Sequence, residues 1–335
     1  MKKSLKTLVI AEVGVNHNGK LNLAKKLIDE AKINGADIIK FQIFNTDSLV
    51  IKSASKANYQ KNKKNKNESQ YHMLKKLELS KKNIKKIYDY CNYKDIEFLA
   101  SVFDIQSFIF LKSLKPNRIK IPSGEITNFL LLEKIGKLNI KTILSTGMSK
   151  LDEIKRAIKV LTNSGTNKKN ITILHCTSSY PTKYEDVNLK AMLEIKKKLN
   201  TSIGYSDHTI GSEISIAAVA LGAKIIEKHF TLNKKFEGPD HSSSMHPKEF
   251  KKMVESIRII EKSMGLSTKK ATKIELKNSL FVRKSIFANR KISKGEKFTS
   301  KNITIKRPGI GKSPMMWYKI IGTQTKKNYK KNDPI

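Results

Sequence analysis

Cysteine is scarce in this chain: Cys91 and Cys176 are the only two among 335 residues. Neither stands in a metal-ligand spacing, so a disulfide framework is excluded and a reducing compartment is the natural fit. Long apolar runs are missing too, since no window approaches the roughly 18 to 20 uninterrupted apolar residues of a membrane span. The amino terminus, MKKSLKTLVIAEVGV, interrupts its apolar stretch at Glu12 and offers no small-residue cleavage site; it does not read as a secretory signal. A cytoplasmic protein with no membrane partner is the expectation. Acidic residues are few, 29 against 67 basic, for a formal net charge of +38. Such a charge invites nucleic acid, because phosphate neutralisation dominates that binding. Arginine, however, is a small part of that basic total. Only Arg118, Arg156, Arg258, Arg283, Arg290 and Arg307 occur, and arginine is the side chain suited to bidentate phosphate and base recognition. The lysines are spread over nearly every helical segment, so the charge reads as solvated background that concentrates small anionic substrates. Nucleic acid is not expected as a partner.

What the chain has in quantity is short β-branched runs, each followed by an amphipathic segment. The runs are 7–13, 36–44, 96–103, 118–122, 141–146, 171–176, 201–206 and 223–230. Between the first two, Leu21, Leu23, Ala24, Leu27, Ile28 and Ala31 share one helical face with lysines opposite. Strands alternating with helices imply right-handed βαβ units and a parallel sheet. Eight such units within about 260 residues predict a (β/α)8 barrel. A Lys/Asn/Ser stretch, Ser53 to Ser69, follows the second strand and reads as a solvated loop, either a lid over the barrel mouth or a tolerated insertion. We expect a barrel over residues 1–266, a linker over 267–280 and a small all-β domain over 281–335, whose runs are broken by Lys-Gly-Glu and Arg-Pro-Gly turns.

Active sites of barrels lie at the carboxyl ends of the strands, and there this chain repeatedly places polar residues. Strand one ends at Glu12, with Asn16 and His17 beyond it. Lys40 and Gln42 end strand two and Ser101 strand three. Lys120, Ser123 and Glu125 follow on strand four, Ser145 on strand five, and Ser178 and Tyr180 on strand six. Ser206, Asp207 and His208 end strand seven, and His229 strand eight. Ser145 and Ser206 double as candidate helix caps, and Glu12 as a partner for a lysine. Two lysines in one barrel mouth repel unless an anion lies between them, so Lys40 and Lys120, with hydroxyls and helix amides, predict a phosphate or carboxylate cradle; the alternative is that both snorkel to solvent. His208 and His229 end adjacent strands and form a candidate two-ligand site for Mn²⁺, Fe²⁺, Co²⁺ or Zn²⁺. His17 and His175 are weaker candidates.

The motifs IAEVGVNHNG, IIKFQ, KIPSGEITN, LSTGM, HCTSSYPT, SDHT, EKHFT and GPDH together resemble the sialic acid synthase family, whose members make N-acetylneuraminate, legionaminate or pseudaminate. KGE at Lys294 to Glu296 and KRPG at Lys306 to Gly309 are similar to that family's antifreeze-like (SAF) domain. The resemblance implies condensation of phosphoenolpyruvate with an N-acetylated mannosamine-type sugar, giving a 2-keto-3-deoxy acid and phosphate. It implies a metal, usually Mn²⁺, on His208 and His229, and phosphoenolpyruvate held by Lys40, Ser101, Lys120, Ser123, Ser145, Ser178 and Ser206. Ser101 stands where some members have Thr, and Ser178 where some have Asn. Gln42, Tyr180 and Asp240 match positions near the sugar, as does Glu12, and Glu125 lies close enough to manage water or protons; which carboxylate is the general base stays open. Arg307 matches an arginine that the family inserts into the partner subunit's site, implying a homodimer in which each small domain caps the other barrel. Rival readings are a basic nucleic-acid-binding module and a catalytically inactive glycan-binding relative.

Overall fold

A computed structural model describes residues 6–57, 60 and 68–335, in two compact units, Met1–Gly265 and Leu266–Ile335. Eight strands, β1 (Leu8–Gly14), β2 (Ile38–Ile43), β3 (Glu97–Val102), β4 (Arg118–Ile121), β5 (Lys141–Ser145), β6 (Ile171–His175), β7 (Ser202–Asp207) and β8 (Ile225–His229), close into a parallel barrel in sequence order. The predicted (β/α)8 architecture is the observed one. Helices follow the strands: α1 (Leu21–Ile33), the short α2 (Thr46–Leu49), α3 (Gln70–Leu77), α4 (Lys81–Tyr93), α5 (Ile105–Ser113), α6 (Phe129–Gly136), α7 (Leu151–Asn163), α8 (Ala191–Leu199), α9 (Glu213–Ala220) and α10 (Pro247–Ser263). Their apolar stripes cover the outer face of the strands. Ala24, Leu27, Ile28 and Ala31 of α1 are buried, while Leu21 and Leu23 pack half-buried at the edge of that contact.

The barrel interior is built in layers, because side chains on a strand alternate between faces. Ile10, Ile38, Leu99, Ile143, Leu174 and Ile225 form one apolar cluster that plugs the barrel. Two residues further along the same strands stand Glu12, Lys40, Ser101, Ser145, Cys176 and Glu227. A dry floor therefore carries a polar layer directly above it. On β7 the floor position is Gly204, where a Cβ would come within 2.5 Å of both the Ile225 carbonyl and Leu174 Cδ2; only glycine fits where the plug is tightest.

In the second unit, β9 (Ser285–Ala288) pairs antiparallel with β10 (Ile303–Lys306), over a core of Ile286, Ala288, Ile292, Phe298, Ile303, Ile320, Tyr329 and Ile335. Isolated bridges such as Ile292–Tyr329 and Lys297–Gln324 extend the β character. The segment expected as a linker is partly helical: α11 (Lys273–Val282) starts at a capping box in which Thr272 accepts from the Glu275 amide and Glu275 from the Thr272 amide. Its T-x-x-E signature was in the sequence, but the polar Lys/Thr stretch just before it, 267–272, masked the helix. A second helix, α12 (Trp317–Ile320), interrupts the expected all-β domain.

Candidate active site

The polar layer is a buried ion-pair network. Lys40 Nζ lies 2.8 Å from Glu227 Oε2 and 3.5 Å from Glu12 Oε2. From the far side of the barrel Lys120 Nζ donates to Glu227 Oε1 and Oε2 at 3.0 and 3.1 Å, and the Ser206 hydroxyl donates to Glu227 Oε1 at 2.9 Å. None of the four charged side chains is more than 4% exposed. The lysines therefore do not snorkel to solvent. The anion expected between them is in part supplied by the chain itself, as the Glu227 carboxylate. Glu227 was missed in the sequence, although the alternation Ile225, Glu227, His229 along β8 repeats that of Ile10 and Glu12 on β1.

This network sets the charge states. Burial pushes the Glu12 carboxyl up to about 7, against the pull of Lys40. Burial likewise disfavours charge on Glu227 and Lys40, but the facing charges outweigh it: two lysines hold Glu227 well below the carboxylate range, and Glu12 with Glu227 hold Lys40 above the usual lysine range. Lys120 is lowered to about 8 by burial and the nearby Lys40 charge.

Above the layer opens a cavity of about 540 Å³. It is lined by Glu12, Lys40, Gln42, Ser101, Lys120, Ser123, Ser145, Ser178, Tyr180, Ser206 and His208, with Glu227 and Gln60. The Ser145 hydroxyl is buried without a hydrogen-bond partner. Ser123 Oγ accepts from the Gly147 amide at 2.9 Å and lies 3.3 Å from Cys176 Sγ. A Cβ on Gly147 would fall 2.1 Å from Ser178 Oγ and 3.0 Å from Ser123 Oγ, so glycine keeps this hydroxyl cradle open. Neither Ser145 nor Ser206 serves as a helix cap: the Ser206 hydroxyl is spent on Glu227.

A side pocket of about 90 Å³ adjoins, lined by Gln42, Gln60, Tyr180, His229, Pro239 and Asp240 and by the apolar Val15, Met73, Leu74 and Leu77. Glu12 Oε1 accepts from Gln42 Nε2 at 3.4 Å. His208 and His229 have ring centroids 5.5 Å apart, with the Tyr180 ring 4.2 Å from His208 and tilted 36° to it. Burial lowers both imidazoles, His208 to about 4 and His229 well below its usual value, so both are neutral at pH 7. His208 Nδ1 sits 2.6 Å from the Thr177 carbonyl, a contact that requires Nδ1 to carry the proton and leaves Nε2 as the lone pair. His229 Nδ1 is buried with no hydrogen-bond partner, 4.0 Å from Asp240 Oδ2; burial raises that carboxyl to about 6. Two neutral imidazoles, one with an orphaned nitrogen, fit a divalent ion whose remaining positions are taken by oxygen donors. Among the described residues no group of three or more His, Cys, Asp or Glu side chains converges tightly enough to hold a metal unaided.

Other candidates fall elsewhere. Glu125 is half-buried on a turn, accepts from Asn128 Nδ2 at 2.6 Å, and its carboxyl is raised by burial; it does not line the cavity. His17 Nδ1 accepts from the Gly19 amide, and His175 Nε2 faces the Val187 carbonyl at 2.9 Å, which gives both a structural use. Arg307 is exposed in the second unit just beyond β10. Of the Lys/Asn/Ser stretch, residues 58–59 and 61–67 lie outside the described residues. Its ends are clasped by the Gln70 amide on the Ala54 carbonyl and by the Lys56–Glu68 ion pair at 3.0 Å, and Gln60 reaches both cavities.

The NeuB family model matches residues 27–269, and the SAF domain model residues 283–335. The chain is 50% identical over 330 residues to the N,N'-diacetyllegionaminic acid synthase of Campylobacter jejuni, covering 98% of this chain and 99% of that protein. It is 44% identical over 327 residues to the protein of the same name from Legionella pneumophila, covering 97% and 92%. The crystal structure of an N-acetylneuraminic acid synthetase from Leptospira borgpetersenii, in complex with citrate, superposes with a TM-score of 0.71 at 34% identity, covering 82% of this chain and 90% of that one. With its barrel, its layered site and its carboxyl-terminal SAF domain, this chain belongs to the NeuB family.

Proposed function

We propose that this chain condenses phosphoenolpyruvate with the open-chain aldehyde of 2,4-diacetamido-2,4,6-trideoxymannose, forming a legionaminate-type 2-keto-3-deoxy acid and releasing phosphate. The observation that carries the proposal is the buried Lys40–Glu227–Lys120 network beneath a hydroxyl cradle and beside two neutral histidines. Phosphoenolpyruvate brings a carboxylate and a phosphate, and the network holds two ammonium groups that an arriving anion can take over from Glu227. Ser101, Ser123, Ser145, Ser178 and Ser206 would complete its contacts, with the unpartnered Ser145 hydroxyl ready to donate.

Glu12, Gln42, Tyr180 and Asp240 would orient the sugar. A divalent ion on His208 and His229, Mn²⁺ by preference, would supply Lewis-acid polarisation of the aldehyde. The carbon–carbon bond forms from C3 of phosphoenolpyruvate to the aldehyde carbon, water adds to C2, and the phosphate leaves with the C2–O bond electrons. Glu12, raised to about 7, exchanges protons readily near neutrality and is our choice for the proton delivered to the new alkoxide. Glu125 follows the cavity-lining Ser123 and Gly124 without lining the cavity itself, and is our choice for taking up, through a bridging water, the proton of the attacking water. Arg307 would reach the sugar from the partner subunit of a homodimer, and phosphoenolpyruvate places the reaction in the cytoplasm.

The apolar wall of Val15, Met73, Leu74 and Leu77 beside Asp240 favours a sugar that presents methyl groups, as a deoxy carbon and a second acetamido do. The similarity to two proteins named for the legionaminic product points the same way. N-acetylmannosamine, giving N-acetylneuraminate, is the second reading, favoured by the Leptospira likeness. Phosphate release from phosphoenolpyruvate with Mn²⁺, measured with each sugar, with an altrose-configured isomer and with no acceptor, separates them once the acid is identified by mass. Release should be confined to the diacetamido mannose and abolished by EDTA. Release with N-acetylmannosamine alone would overturn the acceptor, and full turnover in EDTA the metal.

A further inference from the structure

Immediately before each of the two site histidines stands a charged residue that the site does not use. Asp207 precedes His208 on β7 and Lys228 precedes His229 on β8, and the two are register partners across the strands. Alternation turns them to the outer face of the barrel, as it does Ile203, Tyr205 and Ile226, which belong to the core between barrel and helices. There they form an ion pair, Lys228 Nζ to Asp207 Oδ2 at 2.9 Å, with side chains 2% and 0% exposed.

Their remaining bonds close around His208. Asp207 Oδ1 accepts from the Thr209 amide at 2.9 Å and from its hydroxyl at 2.7 Å. Lys228 Nζ donates to the Thr209 carbonyl at 2.6 Å, and Ser215 Oγ of α9 donates to Asp207 Oδ2 at 2.6 Å. The residues on either side of His208 are thus tied to each other and to the residue that precedes His229. A buried ion pair adds little stability over an apolar pair of equal volume, so burial alone does not account for charges at this spot. What an apolar pair could not do is grip the Thr209 backbone from the neighbouring strand.

We propose that Asp207 and Lys228 are positioning residues that fix the separation and orientation of His208 and His229 for the divalent ion. The inference rests on the metal reading above. Outer partners that orient metal ligands typically change affinity about 10- to 100-fold when removed.

The test is Mn²⁺ titration of the full-length protein, following free Mn²⁺ by electron paramagnetic resonance, with phosphoenolpyruvate affinity measured by calorimetry without metal. Lys228→Met should weaken Mn²⁺ binding 10- to 100-fold and leave phosphoenolpyruvate binding within about twofold. Because Lys228→Met strands the Asp207 charge, the neutral pair Asp207→Asn/Lys228→Met, which keeps an acceptor for Thr209, is measured alongside; it should fold and lose Mn²⁺ affinity at least about tenfold. Wild-type Mn²⁺ affinity in either folded variant overturns the proposal, and failure of both to fold overturns it as well, making the pair a folding element. Wild-type protein that binds no Mn²⁺, or His208→Ala that binds it undiminished, overturns the metal reading itself and the positioning role with it.

Discussion

At Glu227 one carboxylate neutralises two lysines that enter from different strands, and this makes it the residue whose removal separates stability from ligand affinity. Glu227→Gln leaves Lys40 and Lys120 with Glu12 as the one remaining carboxylate of the network. An uncompensated buried charge costs about 3–5 kcal/mol, so the free variant should unfold at markedly lower temperature. The pocket is then more positive by one unit, and phosphoenolpyruvate should raise the melting temperature of the variant by more than it raises that of the wild type. Thermal melts of both proteins with and without the ligand decide it; equal ligand-induced shifts would mean that Glu227 does not compete with the anion. The residue was hard to see in the sequence for a definite reason. Lys40 and Lys120 announce an anion, but their partner comes from β8, 107 residues beyond Lys120, and barrel closure rather than local spacing brings it there.

At the scale of elements, the two-residue period made the eight strands and the polar rows at their carboxyl ends readable, since inward positions run from apolar to polar along β1, β2, β3, β5 and β8. What stayed hidden was the outward row. Asp207 and Lys228 look like ordinary surface charges until α9 is laid over them, and α11 looked like linker because it follows directly on the polar Lys/Thr stretch 267–272. The floor layer carries its own prediction. Gly204→Ala places a methyl group 2.5 Å from the Ile225 carbonyl and Leu174 Cδ2, and the backbone of β8 must move to admit it. Overpacking of this kind costs about 1–3 kcal/mol, so the urea midpoint should fall with an unchanged slope. Because Ser206 is the next inward residue on β7, the same shift should weaken phosphoenolpyruvate binding; a midpoint equal to wild type would mean the barrel yields at no cost.

At the scale of the molecule, the question is why a barrel that contains every residue of the proposed anion cradle carries a second unit at all. That unit has a small core of its own and presents Arg307 exposed, beyond β10. If the arginine acts on the barrel of another protomer, loss of the guanidinium should raise the sugar KM at least about tenfold and spare that for phosphoenolpyruvate. Complementation tests the geometry directly. Arg307→Ala and Lys40→Ala proteins are each defective, but a mixed dimer joins an intact barrel to an intact arginine in one of its two sites. Random exchange at equal concentration makes half of the dimers mixed, so about a quarter of wild-type activity should return at sugar concentrations below KM. An arginine serving its own barrel would leave both sites of every mixed dimer defective, and mixing would restore nothing.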